Sequence, residues 1–179
     1  RDVYKRQTYT AHIDDPGALV NSSPRFNSLP PVSLCAGFPF EYDHGASDPD
    51  GDELVYEFTT PFQGASSFAP DPDPAPAPPF DEVIFDGPFS ESYPIESEPA
   101  FTINSATGHI EGTPTMLGQF VVGVRVKEYR DGVLIGEHFR DFQFNVTDCE
   151  PSAVASAPKV IKDCTDYSVT FENNSFGSE

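Results

Sequence analysis

The stretch Asp48-Pro49-Asp50-Gly51-Asp52-Glu53-Leu54-Val55-Tyr56-Glu57-Phe58 joins an acidic turn directly to a strand. Asp side chains cap their own backbone, Pro49 sets φ and Gly51 supplies a positive φ, so residues 48–52 read as a turn. From Leu54 the side chains alternate, with Leu54, Tyr56 and Phe58 on one face and Val55 and Glu57 on the other. That period of two is the signature of a half-buried strand. The turn also has a chemical reading, because Asp48, Asp50 and Asp52 at alternate positions can aim three hard oxygen ligands at one Ca²⁺. A full EF-hand loop is absent, since Thr59 stands where a loop beginning at Asp48 needs its Glu. A plain Asx-turn ahead of a strand accounts for the same residues without an ion.

Outward from this stretch the strand period continues. It predicts strands over residues 26–34, over 38–44 with Phe38, Phe40 and Tyr42 on one face, and over 53–59. After 101–104 and a turn at 106–108, residues 109–112 are again strand-like. A long strand over 119–129 sets Phe120, Val122, Val124 and Val126 on one face and Gly123, Arg125 and Lys127 on the other. Arg130-Asp131-Gly132-Val133 carries an Asp-Gly hairpin signal, and the returning strand, with Phe142, Phe144 and Val146 inward, runs through Val146.

Residues 60–100 break the pattern. They hold more than half of the 19 Pro, including the run Asp71-Pro72-Asp73-Pro74-Ala75-Pro76-Ala77-Pro78-Pro79, which favours polyproline II and cannot enter a sheet interior. A long surface excursion with a short strand at 82–85 is expected. It reads either as a floppy insertion or as a ligand-facing loop dressed with Phe80, Phe85, Phe89 and Tyr93. The fold expected is all-β, an antiparallel β-sandwich of about seven strands with a long Pro-rich insertion at 60–100. Its domain spans 23–149, preceded at 8–22 by the end of another domain and a linker, and followed at 150–179 by the start of a further one.

The first seven residues, Arg1-Asp2-Val3-Tyr4-Lys5-Arg6-Gln7, resemble a translated sequencing adapter, so the lack of a signal peptide carries no information. They contain three basic residues and one acid; the remainder has 7 Lys+Arg against 28 Asp+Glu, a formal charge of −21. That balance excludes nucleic acid as a partner class and suits a solvated surface protein or one that collects divalent cations. No apolar run reaches the length of a membrane span. His12, His44, His109 and His138 are dispersed, with neither H-E-x-x-H nor G-x-S-x-G spacing, so no base is placed beside a nucleophile. The chain is expected not to be an enzyme. Cys35, Cys149 and Cys164 match no zinc or redox spacing, which leaves disulfides in an oxidising compartment.

Three segments carry a family resemblance: D-P-D-G-D-E-L-V-Y at 48–56, F-T-I-N-S-A-T-G-H-I-E-G-T-P at 101–114, and residues 118–126. They resemble an Ig-like, cadherin-like repeat of bacterial surface proteins. K-E-Y-R-D-G at 127–132 and R-D-F-Q-F at 140–144 are similar to a subtype in large secreted Bacteroidota proteins of PKD-domain or gliding-motility-associated type. The resemblance covers residues 21–149, and V-T-F-E-N-N-S-F-G-S near the end looks like the opening of a PKD domain. It implies a secreted, multi-domain, non-catalytic surface protein exported by the type IX pathway.

In a sandwich of this order, Cys35 after the first strand and Cys149 after the last lie at one pole, and a Cys35–Cys149 disulfide is expected; Cys149–Cys164 is the alternative. The turns at 48–52 and 131–132 lie at the opposite pole. A calcium ion held by Asp48, Asp50, Asp52, Glu128 and Asp131 is therefore a candidate site. The function expected is a structural spacer or adhesive Ig-like module at the cell surface, stiffened by calcium, with adjacent Ig-like or PKD domains as its partners. The alternatives are a binding module for a surface glycan or protein that uses the aromatic residues of 60–100, and an accessory domain of a secreted hydrolase.

Overall fold

The computed structural model describes residues 10–13, 20–64, 73–74 and 77–149. The expected PKD-like start at 150–179, with Cys164, lies outside them, as do the adapter-like residues 1–7. Contacts divide the chain into Arg1–Asp148 and Cys149–Glu179, and the described strands belong to the first of these units.

Among the described residues there are ten strands and no helix: β1 (Thr10–Ile13), β2 (Arg25–Phe26), β3 (Ser33–Cys35), β4 (Phe40–Asp43), β5 (Ala46–Ser47), β6 (Glu53–Thr59), β7 (Thr102–Ile103), β8 (His109–Gly112), β9 (Gly118–Arg130) and β10 (Val133–Thr147). One sheet runs β1-β10-β9-β6, with β3 also on β10; a second runs β4-β8-β7; β2 and β5 form a small ribbon. All pairings are antiparallel except β3 with β10, which is parallel.

The β9–β10 hairpin is the spine. Its loop is Asp131-Gly132, with φ of 52° and 78°, between the paired residues Arg130 and Val133. Two positive φ values in a two-residue loop are the type I′ geometry whose twist matches the strands it joins. The alternation expected from the sequence holds: Phe120, Val122, Val124, Val126, Phe142, Phe144 and Val146 are all buried. Tyr42 of β4, Ile110 of β8 and Phe101 ahead of β7 meet them from the second sheet, with Tyr42 edge-on to Phe142 and Phe101 edge-on to Phe144. At about 1.5–3 kcal/mol for each large side chain withdrawn from water, this layer is the main source of stability.

Three expectations change. The strand expected over 26–34 is two short ones, β2 and β3, because Pro30-Pro31 interrupts the ladder between them and removes its donors. The strand expected at 82–85 reduces to a bridge between Phe62 and Glu82, framed by Gln63 N to Asp81 O and Val83 N to Pro61 O. Residues 10–13, expected to close a preceding domain, pair with β10 instead, Thr10 opposite Phe139 and Ile13 opposite Gly136.

Phe62 and Phe80 of the insertion lie on the outer face of the large sheet, whereas its Ile95 is fully buried in the core. Phe62 packs on Phe139 and Phe80 on Phe62, with ring centroids 5.4 and 6.4 Å apart. Close approach is possible because Gly123 has no side chain: a Cβ there would clash with the Thr59 carbonyl oxygen and with Pro61. Farther along the same face Arg125 and Lys127 pair with Glu57. Burial opposes ionisation of Glu57, but hydrogen bonds from Lys127 and Arg125 outweigh it and hold the carboxyl below its usual range.

Candidate functional site

The acidic turn is built by its own side chain. Asp48 Oδ1 accepts from the amides of Asp50 and Asp52 at 2.9 and 3.0 Å, and Gly51, at φ +85°, donates to the Asp48 carbonyl. This is the Asx-turn geometry. It also gathers one oxygen from each of Asp48, Asp50 and Asp52 within 4.8 Å of one another. Among the described residues Asp48 Oδ2 is buried and has no hydrogen-bond partner.

The turn meets the β9–β10 hairpin at the same pole, as the sandwich order requires, and the residue that joins them is Arg130. Its guanidinium binds both oxygens of Asp52, Nε to Oδ1 at 2.7 Å and Nη2 to Oδ2 at 2.6 Å. The Asp52 side chain is only 3% exposed, so this paired fork satisfies a carboxylate that water cannot reach. The hydrogen bond to Asp52, followed by the charges of Asp52, Asp50 and Asp48, raises the Arg130 pKa further.

Arg130 also reaches the segment ahead of β2, donating to the Val20 carbonyl at 3.3 Å and to Asn21 Oδ1 at 3.1 Å. Asn21 Nδ2 donates in turn to Glu128 Oε2 at 3.0 Å, and the Ser22 amide donates to Asp50 Oδ2 at 2.6 Å. Residues 20–22 are thus tied to the pole from three directions. Replacing Arg130 with Gln is expected to leave the sheet folded while the Ser22 amide exchanges with solvent roughly tenfold faster or more. Unchanged exchange at residues 20–22 would show that the network does not hold the segment.

Glu128 does not join the three aspartates. Its place on β9 continues the inward series Phe120, Val122, Val124, Val126, and it is 1% exposed. Gly136 across the ladder makes room for it, because a Cβ there would lie 2.5 Å from Glu128 Oε2, and His138 Nε2 lies 3.2 Å from the same oxygen. Asp131 is exposed at the hairpin tip and is likewise not in the converging group. The five-residue calcium set expected from the sequence therefore reduces to Asp48, Asp50 and Asp52 among the described residues.

A second polar group, on the inner face, has no counterpart in the expectations from sequence. His44 is fully buried among Phe26, Tyr42, Tyr56 and Phe142. Its Nε2 lies 3.5 Å from Arg140 Nη1. A guanidinium only donates, so Nε2 accepts and Nδ1 carries the proton, without a partner. Burial, then the charge of Arg140, lowers the His44 pKa to about 3. Arg140 lies 3.8 Å over the Phe26 ring, a desolvated cation–π contact. The signal for these groups is parity: one or two further steps along the inward series of β9 and β10 reach Glu128, Arg140 and His138.

At the opposite pole Cys35 and Cys149 are disulfide-bonded. β3 carries Cys35 to that end by pairing with residues 145–147 of β10.

A cavity of about 340 Å³ opens between the insertion and β9–β10, lined by the outward Gln119, Val121, Asp141 and Gln143 and by Phe62, Phe85 and Phe89, with Phe120 of the inward series at its edge. Phe89 is stacked on Tyr93 and edge-on to Phe120. Among the described residues Phe62, Phe80, Phe89 and Tyr93 each pack against another ring and form no open platform. No helix of the described residues is long and apolar enough to cross a membrane. The chain matches no family model, no curated protein and no solved structure.

Proposed function

We propose that the chain is a non-catalytic, extracellular, Ig-like module of a multi-domain bacterial surface protein, acting as a structural spacer or in adhesion. The observation that carries this reading is the all-β domain closed by the Cys35–Cys149 disulfide, with residues 20–22 braced against its acidic pole by Arg130, Glu128 and Asp50, which suits a unit that must resist bending. The Cys35–Cys149 disulfide supports an oxidising compartment. Adjacent Ig-like or PKD domains would be the partners.

Calcium would add to this stiffness. Three carboxylates against the one charge of Arg130 leave an excess of two negative charges, and the orphaned Asp48 Oδ2 is an oxygen that a hard cation would satisfy. Asp48 and Asp50 would be the ligands, with Arg130 keeping Asp52. For an extracellular site with a dissociation constant of about 0.1–1 mM, 10 mM calcium stabilises by about 1.4–2.7 kcal/mol. The melting temperature of the full chain should then rise by about 3 to 8 °C over that in chelator, and an Asp48→Asn, Asp50→Asn double variant should show no rise. A wild-type melting temperature indifferent to calcium would leave the pole to Arg130 alone.

The outer-face cavity favours a second reading, a binding module for a surface protein or glycan, which a spacer of this kind can carry at the same time.

A further inference from the structure

We propose that the cavity between the insertion and the outer face of β9 and β10 receives a peptide segment presenting an aliphatic side chain beside a basic one. This rests on the binding-module reading of the same site. The volume, about 340 Å³, falls at the small end of the range of about 300–1,000 Å³ typical of ligand pockets. Four phenylalanines line it, and its rim leaves large apolar side chains in water: Ile84 is 87% exposed and Leu117 57%, with Met116 beside them. Apolar groups gathered at the mouth of an apolar cavity mark a contact surface, whereas scattered ones would need no explanation. Met116 adds a side chain that adapts to different shapes.

The polar lining decides the class of occupant. It comprises the carboxylates of Asp86 and Asp141 and the amides of Gln119 and Gln143, and no Lys, Arg or His lines the cavity among the described residues. Asp141 is buried and has a partner, so the exposed Asp86 is the carboxylate that a basic side chain would meet. A cavity with one sign of charge favours the opposite sign and rejects its own. A glycan fits less well. Its hydroxyls need a denser set of polar partners, no Tyr or Trp lines the walls among the described residues, and Phe89 already stacks on Tyr93.

The test is a nuclear magnetic resonance titration of the full chain with three probes: acetyl-Leu-Lys-Leu-amide, acetyl-Leu-Glu-Leu-amide and maltotriose. The lysine peptide is expected to shift the amides of residues 84–87 and 117–121, with the glutamate peptide at least about tenfold weaker. Leu117→Ser, on an exposed position that the fold does not need, should weaken the lysine peptide at least about fivefold. Asp86→Asn should narrow the gap between the two peptides. Equal binding of both peptides to the wild type would overturn the assignment of a basic segment. Shifts from maltotriose without shifts from either peptide would overturn the peptide and keep the binding-module reading. If no probe moves these amides, both fall.

Discussion

Replacing Cys35 and Cys149 together with serine is expected to lower the unfolding free energy by about 4 kcal/mol. The bond closes a loop of more than a hundred residues, and in the chain-entropy account such a constraint removes about 4 to 5 kcal/mol of freedom from the unfolded chain; native strain subtracts from that figure. Domains of this size are stable by only about 5–15 kcal/mol, so the loss is a large share of the whole. Urea unfolding of the full chain, oxidised against doubly substituted, measures it as a fall in midpoint. The double replacement is preferred because a single one leaves a reactive thiol behind. A loss below about 1 kcal/mol would mean that the unfolded chain is already compact around this pair.

Acid is expected to weaken the fold through His44. In the unfolded chain this residue titrates near its ordinary value of 6.5, whereas in the fold it stays neutral down to about 3. Between those values the unfolded state binds the extra proton. The contribution of neutral His44 is therefore fully present above pH 6.5 and is lost as pH falls toward 3, at about 1.4 kcal/mol per unit. Carboxylates titrate over part of the same range, so the informative quantity is a difference. His44→Phe keeps a ring among Phe26, Tyr42, Tyr56 and Phe142 and removes both the titration and the unpartnered Nδ1 proton. Measured at pH 7, 6, 5 and 4, the stability of the variant minus that of the wild type should grow by up to about 1.4 kcal/mol at each step below pH 6. Parallel curves would mean that His44 takes up its proton in the folded state as readily as in the unfolded one.

The disulfide and His44 differ in how far a single chain discloses them. The disulfide follows from strand order, and strand order follows from local marks: alternation along β9 and β10, and the Asp131-Gly132 turn between them. Such marks are legible because the physics that sets them acts within a few residues. His44 is not legible as a core group, because most of the rings that bury it, Phe26, Tyr56 and Phe142, and Arg140 beside it, 96 residues away, come from other strands. The acidic pole divides in the same way. Asp48, Asp50 and Asp52 read as a group because they are neighbours, while Arg130, which neutralises Asp52 from 78 residues on, carries no local sign of that role. Proximity to the hairpin turn points Glu128 toward the calcium set, yet its parity on β9 sends it inward to Asn21 and His138. Likewise the insertion's Pro content announces an excursion, but only the fold shows Phe62 lying down on Phe139 with Phe80 on Phe62.

The position of the disulfide also bears on how the module answers a pull along the chain. Tension arriving from the N-terminal side reaches Cys35 and crosses the sulfur–sulfur bond to Cys149. Once the strands ahead of Cys35 are released, residues 36–148, with β4 to β10 and nearly all of the core, hang as a side loop off that path and carry no load. What traction can strip lies ahead of Cys35: β1 from the edge of β10, then β2 from β5, and last β3, whose parallel pairing with residues 145–147 is loaded in shear. A stretched array of such modules would lengthen by releasing those short leading strands and then stop, with every sandwich still folded.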